Sequence, residues 1–315
     1  MNRDQLSKVA IGAVLFILLI IWINPSRLLS QLHLVTIPVL LVMFGGVVLG
    51  QFVNILSQYV ALQPVKQLSF LKILPHSLAS WVSELFLPGK LGVFTLAVFL
   101  QKEGVRIGES TSIILLLRLI NAGLAFFLAT FAISGFLNIS GVWSAFVGVF
   151  VVLVGIYGVF FTNTGRNFFK KNVLGKYSLP FEGFAAGLSK VTRDKGTMIS
   201  LIILSAAFVI IQGYFNYWMF SLSGYELNIF TIIPLLALVQ ILVQIPVTIN
   251  GWGIREGLLV LFFSQLGAPA EVTLLLVATS MAVAYVTALL VSWTVLGEIP
   301  PTFDWKKMSR VSSQK

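Results

Sequence analysis

Two charged side chains lie inside one of the most apolar stretches of the chain. Arg255 and Glu256 fall within residues 231–266, where a membrane-spanning helix would carry neither of them. On insertion scales, each charge at the centre of such a helix costs roughly 2.5 to 3.5 kcal/mol. An arginine kept at this cost is suited to binding an anion, because its guanidinium can pair with a phosphate through two parallel hydrogen bonds.

A proline and three turn-forming residues interrupt the helix directly before these charges. Pro246 removes a backbone donor, and Asn250, Gly251 and Gly253 supply residues typical of turns. Irregular backbone at membrane depth is tolerated only where it is buried in protein or lines a cavity. The stretch therefore predicts a functional break in the middle of the membrane.

Residues 76–100 form a second apolar stretch that is broken in the same way. Pro88, Gly89 and Gly92 interrupt it, and Lys90 is charged. The pieces on either side, of about 12 and 9 residues, would be helices of roughly 18 and 14 Å. Neither piece spans a hydrocarbon core about 30 Å thick, so a re-entrant helical hairpin is expected.

The composition places the whole chain in a membrane. Of its 315 residues, 57% are hydrophobic and 10% are charged, whereas a typical soluble domain has about 25% charged residues. We predict a single all-α polytopic membrane domain, 1–315, with about six full transmembrane helices and two re-entrant hairpins. The full helices are predicted at 9–23, 34–56, 109–136, 141–161, 197–222 and 271–296.

Several kinds of chemistry lack the residues they need. The chain has no cysteine, its three aspartates (4, 194 and 304) lie outside the apolar runs, and its two histidines (33 and 76) lie near the expected membrane surfaces. A carboxylate-bound metal and a Ser/His or Cys/His nucleophile are therefore not expected. We predict no metal, no cofactor and no enzymatic activity. The net charge of +10 comes from basic loops between the spans, so nucleic acid is not an expected partner.

The distribution of basic residues predicts the topology. With both termini and the basic loop 163–195 in the cytoplasm, Arg27 alone falls outside, and Lys90, Arg118 and Arg255 lie within the membrane. This bias requires both broken segments to return to the side they entered from. Within the loop, the helical spacing of Phe181, Phe184, Leu188 and Val191 predicts a helix on the membrane surface.

The same topology contains an internal symmetry. Residues 34–136 read as helix, hairpin, helix, and residues 197–297 repeat that unit upside down. Inverted repeats with broken helices that meet near the midplane are a transporter architecture. Each break places a basic residue, Lys90 or Arg255, beside glycines at the start of a second half-helix.

The chain resembles a known family in three places. These are the segment Gly253 to Gly257 with its preceding Pro246, the stretch LPGKLG at 87–92, and the helix that carries Arg118. They are similar to the transmembrane region of lysylphosphatidylglycerol synthases, which also occurs alone as a flippase-like family of bacteria and archaea. The resemblance covers nearly the whole chain. It implies lipid translocation in a prokaryotic cytoplasmic membrane, and no lysyl transfer is expected because no soluble aminoacyl-transfer domain follows the last helix.

On this interpretation the candidate site binds a lipid headgroup. Arg255 would pair with its phosphate, and Lys90 would act as a point charge. Gln240 and Gln244 share a helix face and could bond a polar headgroup. The candidate substrate-binding residues are Lys90, Arg118, Gln240, Gln244, Asn250, Arg255 and Glu256. The candidate hinge or break residues are Pro88, Gly89, Gly92, Pro246, Gly251 and Gly253.

Structural roles compete with each of these assignments. Glu256 is a favourable charge in the first turn of any helix, and the pair Arg255 and Glu256 could hold the other hairpin. Arg118 could form a structural ion pair with Glu84, Glu109 or Glu256. Lys90 could extend to the cytoplasmic surface, and Trp252 fits either a plug or an interfacial anchor.

Other functions compete as well. A membrane partner or accessory subunit of a lipid or cell-envelope glycan biosynthesis enzyme is the main alternative to lipid translocation. An intramembrane lipid-linked transferase fits less well, because the membrane-embedded part has no aspartate. A channel would need a pore-lining polar face. Membrane lipids are the expected partners, and a homo-oligomer is compatible with the sequence.

Overall fold

The computed structural model describes residues 3–86, 92, 94–136, 183–243, 248 and 251–295, and these form α-helices and one short 3-10 helix without any strand. The helices are α1 Arg3–Ile23, α2 Pro25–Ser30, α3 Ile37–Leu62, α4 Phe70–Phe86, α5 Thr95–Lys102, α6 Ile107–Phe136, α7 Phe184–Arg193, α8 Lys195–Leu222, α9 Ile229–Leu242, α10 Ile254–Gln265 and α11 Ala270–Val295, with the 3-10 helix at Leu32–Leu34.

Among the described residues, four helices are long and apolar enough to cross a membrane. They are α3, the Ile107–Ala132 part of α6, α8 and α11. They match the predicted spans at 34–56, 109–136, 197–222 and 271–296, so the fold class of an all-α polytopic membrane protein is confirmed. The predicted span at 141–161 lies outside the described residues.

The first apolar run forms a bent helix pair. Helix α1 ends at Ile23, and the chain then turns by 78° into α2 and the 3-10 helix. The two segments are apolar and long enough for a membrane span only when they are taken together, as a fifth span with a bend. Asn24 at the bend has φ 78°, a backbone conformation that asparagine tolerates better than most residues. Its side chain accepts the N–H of Ser26, and Pro25 occupies the first helical position of α2. A local sequence signal therefore fixes the bend.

Helices α4 and α5 pack against each other as the first hairpin. At its tip, a Cβ on Gly92 would overlap the backbone of Glu84, so the two arms meet closely there. At its open end, the Lys66 ammonium donates to the carbonyl of Glu103, and His76 Nε2 lies 3.4 Å from Glu103 Oε1. The chain after α5 thus returns to the place where α4 began, as a re-entrant hairpin requires.

Helices α9 and α10 form the second hairpin. A Cβ on Gly251 would overlap the side chain of Val243, so the two arms approach each other at the tip. At the open end, the Phe263 ring of α10 stacks on Phe220 of α8, with centroids 4.8 Å apart. Helix α9 begins just after α8 ends, so this hairpin also returns to its side of entry.

The long helices α3 and α8 pack against each other in antiparallel directions. Gly46 lies against Phe215, and one turn further along α3 Gly50 lies against Gln212 and Phe208. The first arm of each hairpin crosses to the other half of the molecule, because α4 packs on α11 and α9 packs on α6. Such reciprocal contacts are those an inverted repeat would make, and the repeat boundaries 34–136 and 197–297 stay a prediction.

Two apolar cores lie at opposite ends of the long helices. Helix α6 contributes Ile113 to the core around α5 and α7, and Ala129 to the core around α9 and α10. Helix α11 contributes Leu276 to the α9–α10 core, whereas its Ala288 packs with Trp81 of α4. Helix α6 therefore contributes to both cores, and its Arg118 directly follows Leu117 of the core around α5 and α7.

Helix α7 corrects one expectation. Its apolar residues Phe184, Leu188 and Val191 are buried in the core that α6 and α5 also form, so they do not face a membrane surface. Gly187 permits this approach, since a Cβ there would lie 2.7 Å from Glu109 Cα. Lys190 then pairs with Glu109 at 3.0 Å. Phe181 and the rest of the predicted loop before residue 183 lie outside the described residues.

Candidate functional site

The structure describes about half of the candidate residues. Lys90, Gln244 and Asn250, together with Pro88, Gly89 and Pro246, lie outside the described part of the chain. The residues that the structure does place are Arg118, Gln240, Gly92, Gly251, Gly253, Arg255 and Glu256.

The second break ends in a glycine pair that leads into α10. Gly251 and Gly253 have φ of +77° and +78°, a left-handed backbone region that favours glycine. Glu256, three residues after Gly253, accepts the N–H of Gly253 through Oε2 at 2.7 Å. This bond satisfies one of the backbone donors that every helix start leaves unpaired, and such a cap is local in sequence.

The same carboxylate also holds Arg255. Glu256 Oε1 accepts the Nε–H of Arg255 at 3.1 Å, and the Glu256 side chain is 0% exposed whereas that of Arg255 is 38% exposed. The buried carboxylate therefore serves as cap and as anchor. It orients a half-exposed guanidinium at the positive end of the α10 dipole.

The first break uses an ion pair of a different kind. Arg118, in the middle of α6, donates from Nη2 to Glu84 Oε1 at 2.5 Å, and Glu84 lies in the last turn of α4. Of the three partners considered for Arg118, the structure selects Glu84. Nearby, the carbonyl of Gly92 accepts the hydroxyls of Ser80 and Thr95, which tie the two arms of the hairpin together.

Tyr285 of α11 connects the two breaks. Its ring meets Trp252 edge to face, with centroids 5.8 Å apart. Its hydroxyl donates to the carbonyl of Leu85 at 3.4 Å, at the end of α4 and next to the Glu84–Arg118 pair. Sequence reasoning missed this residue, because a tyrosine inside an apolar helix carries no spacing signal that names a partner.

Trp252 has a second neighbour in α1. A Cβ on Gly12 would lie 3.3 Å from both the Cβ and the carbonyl oxygen of Trp252. Trp252 thus contacts α1 through its backbone and Cβ and α11 through its ring, while its side chain stays partly exposed. Both interpretations of Trp252, as a plug and as an interfacial anchor, stay predictions. The sequence signal, a single glycine in an apolar helix, is too common to have identified the contact.

Gln240 lies on α9, half-buried and near the end of the helix that precedes the second break. Its partner in the predicted pair, Gln244, lies beyond the described residues. The part of the chain that the structure describes contains no cluster of three or more His, Cys, Asp or Glu that could hold a metal ion.

The two arginines of the site keep hydrogen-bond donors that an anion could use. Two arginines, each held by one carboxylate, are 38% and 39% exposed on their side chains. A guanidinium has five N–H donors, so one carboxylate contact leaves donors for a ligand. The carboxylate beside each arginine offsets its charge, which lowers the cost of keeping an arginine in the membrane.

The comparison with known proteins identifies the family. No curated protein and no solved structure matches the chain. The family model described as "Lysylphosphatidylglycerol synthase TM region" matches residues 8–292, which include both hairpins and both arginines. The chain therefore belongs to the family of the lysylphosphatidylglycerol synthase transmembrane region.

Proposed function

We propose that this multi-pass membrane protein translocates a phosphate-bearing lipid across the cytoplasmic membrane of a prokaryote, with both termini in the cytoplasm and without enzymatic activity. The lipid would be an anionic, aminoacylated or polyprenyl-phosphate lipid, whose headgroup passes the level of the two breaks. The observation that carries this proposal is Arg255, half-exposed at the start of a half-helix and oriented by the fully buried Glu256.

Arg255 suits a lipid phosphate for two physical reasons. Its Nε–H is taken by Glu256, and the terminal N–H groups of the fork are those that pair with two phosphate oxygens. The first turn of α10 adds the positive end of the helix dipole. A phosphate leaving water would recover there part of the hydrogen bonding that it loses.

Arg118 would be the second contact. It lies near the first break, and Tyr285 connects this region to Trp252 of the second break. A headgroup that crosses the membrane must leave one set of donors as it gains the next. Two arginines on different helices would supply such a sequence of contacts.

The test is a lipid-flip assay in liposomes. The purified protein is reconstituted with a trace of fluorescent lipid, and an impermeant quencher reports the fraction of lipid that is accessible outside. We expect Arg255→Ala to slow the loss of the protected pool by about tenfold or more, because a charge-assisted contact contributes roughly 1.5 to 3 kcal/mol. Arg27→Ala is the matched control, since Arg27 is an exposed arginine of α2, a helix that packs on α1 and α11.

The outcomes separate the candidate functions. Fast translocation that depends on Arg255 and not on Arg27 would support the proposal and rank the lipids. Equal rates for wild type, Arg255→Ala and empty liposomes with every lipid class would contradict it. That result would favour a role as partner or accessory subunit of an envelope-biosynthesis enzyme.

A further inference from the structure

Four amide side chains lie in the central part of two long apolar helices. Gln51 and Asn54 belong to α3, Gln212 and Asn216 belong to α8, and both helices are long and apolar enough to cross a membrane. Moving an amide from water into an apolar environment without a compensating hydrogen bond costs roughly 2 to 7 kcal/mol. Amides at this depth therefore need hydrogen-bond partners.

The neighbouring residues show that the amides face the protein. On α8, Ser205 lies seven residues before Gln212 and Met219 lies seven residues after it, and both are buried. On α3, Ala61 lies seven residues after Asn54 and is buried as well. Residues seven apart share one face of a helix. The amides are therefore directed between the helices, away from the bilayer.

The amides meet where α3 crosses α8. A Cβ on Gly50, the neighbour of Gln51, would lie 2.5 Å from Nε2 of Gln212. Asn54 lies one turn beyond this contact on α3, and Asn216 lies one turn beyond it on α8. Because the two helices are antiparallel, Asn54 and Asn216 lie on opposite sides of the contact. The four side chains form an amide row roughly 12 Å long.

Hydrogen bonds between the helices do not account for the amide row. Asn54 Nδ2 donates to Gln51 Oε1 at 3.5 Å, and Asn216 Nδ2 donates to the carbonyl of Gln212 at 2.8 Å. Both bonds stay within one helix, whereas polar side chains that join membrane helices bond across them. Each amide has two N–H donors and an accepting oxygen. The row, which is partly exposed, thus keeps donors and acceptors that no described residue uses.

The amide row lies next to the first break. Val47, one turn before Gln51, packs on the same apolar cluster as Leu85. Leu85 directly follows Glu84, which binds Arg118. A phosphate bound at Arg118 would therefore have the amide row beside it, within reach of the groups that the phosphate carries.

Uncharged amides suit hydroxyl groups. A hydroxyl both donates and accepts hydrogen bonds, and an amide offers both roles without a charge. A carboxylate or an ammonium group would lose its water at the amide row without gaining an opposite charge, and such a loss is costly. The row therefore favours a neutral group with several hydroxyls.

We propose that the amide row binds the hydroxyls of the headgroup, and that the translocated lipid carries a polyol, such as glycerol or a sugar, on its phosphate. This inference rests on the proposed function and names the substrate class. A glycerophospholipid and a polyprenyl-phosphate lipid can both carry a polyol, and the amide row recognises the group that they share.

The test compares lipids that differ in their hydroxyls. In the lipid-flip assay, phosphatidylglycerol is paired with phosphatidylpropanol, which has the same charge and carbon chain but no free hydroxyl. A polyprenyl phosphate esterified to glucose is paired with one esterified to cyclohexanol. We expect the polyol lipid to cross about tenfold faster in at least one pair, because a site built for hydroxyls keeps unpaired polar groups when they are missing. The pair that shows the difference identifies the source of the polyol.

A single variant connects this preference to the amide row. Gln212→Met removes one amide and keeps the length of the side chain. We expect it to reduce the preference for the polyol lipid several-fold and to leave the rate of the partner lipid unchanged. Gln265→Met is the matched control, since Gln265 is exposed at the end of α10. Equal rates within both pairs would overturn the inference, and so would a preference that Gln212→Met leaves intact.

A binding measurement separates this inference from the proposed function. Short-chain phosphatidylglycerol or phosphatidylpropanol is added to the protein in detergent, and the rise in unfolding temperature reports binding. If wild type translocates no lipid, the proposed function fails, and this measurement still decides about the amide row. A larger rise with phosphatidylglycerol that Gln212→Met abolishes supports the row as a hydroxyl site, and equal rises overturn it.

Discussion

The two breaks hold their arginines in opposite ways. At the second break, Glu256 binds the neighbouring Arg255 and the N–H of Gly253, so the whole arrangement lies within four consecutive residues. At the first break, Glu84 of α4 binds Arg118 of α6 across 34 positions of sequence. One pair belongs to a single helix start, and the other joins two helices.

The two carboxylates also differ in burial, and the carboxylate of the local arrangement is the more buried one. The Glu256 side chain is 0% exposed, whereas that of Glu84 is 26% exposed. If the buried carboxylate of Glu256 moved away, the N–H of Gly253 and the guanidinium of Arg255 would both lose their partner. Leaving a charged group and a backbone donor unpaired in this way is costly. A half-exposed pair between helices can exchange its partner for a ligand at lower cost. The comparison indicates that the Arg255–Glu256 arrangement is fixed in place and that the Glu84–Arg118 contact opens more easily.

The largest effect is expected at Glu256. Replacing it by alanine removes the acceptor of the Gly253 N–H and the partner of Arg255 at once. We expect Glu256→Ala to lower the free energy of unfolding by about 2 to 4 kcal/mol. The measurement is thermal or denaturant unfolding in detergent. Glu256→Gln keeps an oxygen for the cap and should lose markedly less stability, and equal losses would contradict the dual role.

Exchange of the charged partners tests the contrast between the breaks directly. Arg118→Ala should cost about 0.5 to 1 kcal/mol, because the pair is partly exposed and its attraction is screened. The exchange Glu84→Arg/Arg118→Glu should recover part of the stability lost in the single variants, since a pair between two helices can form in either direction. The exchange Arg255→Glu/Glu256→Arg should recover none, because arginine cannot accept the N–H of Gly253.

The outcome is read from unfolding midpoints of the two exchanges and their four single variants. Recovery at both breaks would show that the Gly253 cap contributes little. Recovery at neither would show that the Glu84–Arg118 contact depends on more than charge.

The contrast also explains what the sequence could predict. The four long spans follow from length and hydropathy alone. The role of Glu256 beside a glycine could be anticipated, because helix capping depends on residues three apart. The partner of Arg118 could only be narrowed to three glutamates, since the choice of Glu84 depends on how α4 packs against α6.

Two other features needed the packing as well. The apolar residues of α7 have the helical spacing of a helix that lies on a membrane surface. A helix that packs its apolar face on another helix, as α7 does on α6, has the same spacing, so the sequence could not distinguish the two. Gly12, which contacts Trp252, is a single glycine in an apolar helix. The hydrogen bond of Tyr285 joins it to Leu85, 200 residues earlier in the chain. Contacts of this kind follow from the fold and leave no local pattern.

A smaller effect is expected at Tyr285, which decides whether the two breaks are coupled. Tyr285→Phe removes the long hydrogen bond to Leu85 and keeps the ring on Trp252, so it should cost about 0.5 kcal/mol. Tyr285→Leu also removes the aromatic pair and should cost about 1 kcal/mol more.

Coupling is measured with Glu84→Gln and Glu256→Gln, made singly and together. In a background with Tyr285, the two changes should be non-additive in stability. In the Tyr285→Leu background they should add. Additive effects in both backgrounds would mean that the breaks act independently.

The smallest loss of stability is expected at Asp194, an exposed residue that caps a helix as the buried Glu256 does. Asp194 precedes α8, where its carboxylate accepts the Thr197 hydroxyl at 2.9 Å and the N–H of Gly196 at 3.0 Å. These bonds, above all that from the Thr197 side chain, lower the pKa of Asp194 from its ordinary value of 3.8. Because the folded-state pKa is the lower one, the stabilisation is present above the unfolded-state pKa. It is lost as the pH falls through the folded-state pKa.

Asp194→Ala should therefore lower the unfolding temperature by a constant small amount at neutral pH, and this difference should shrink once the pH falls below about 4. The loss should be well below that of Glu256→Ala, since water can replace an exposed acceptor and cannot reach a buried one. Unfolding curves of wild type and variant across this pH range provide the measurement. Equal losses at the two caps would mean that capping alone stabilises α10, and that the pairing of Glu256 with Arg255 contributes nothing to the fold.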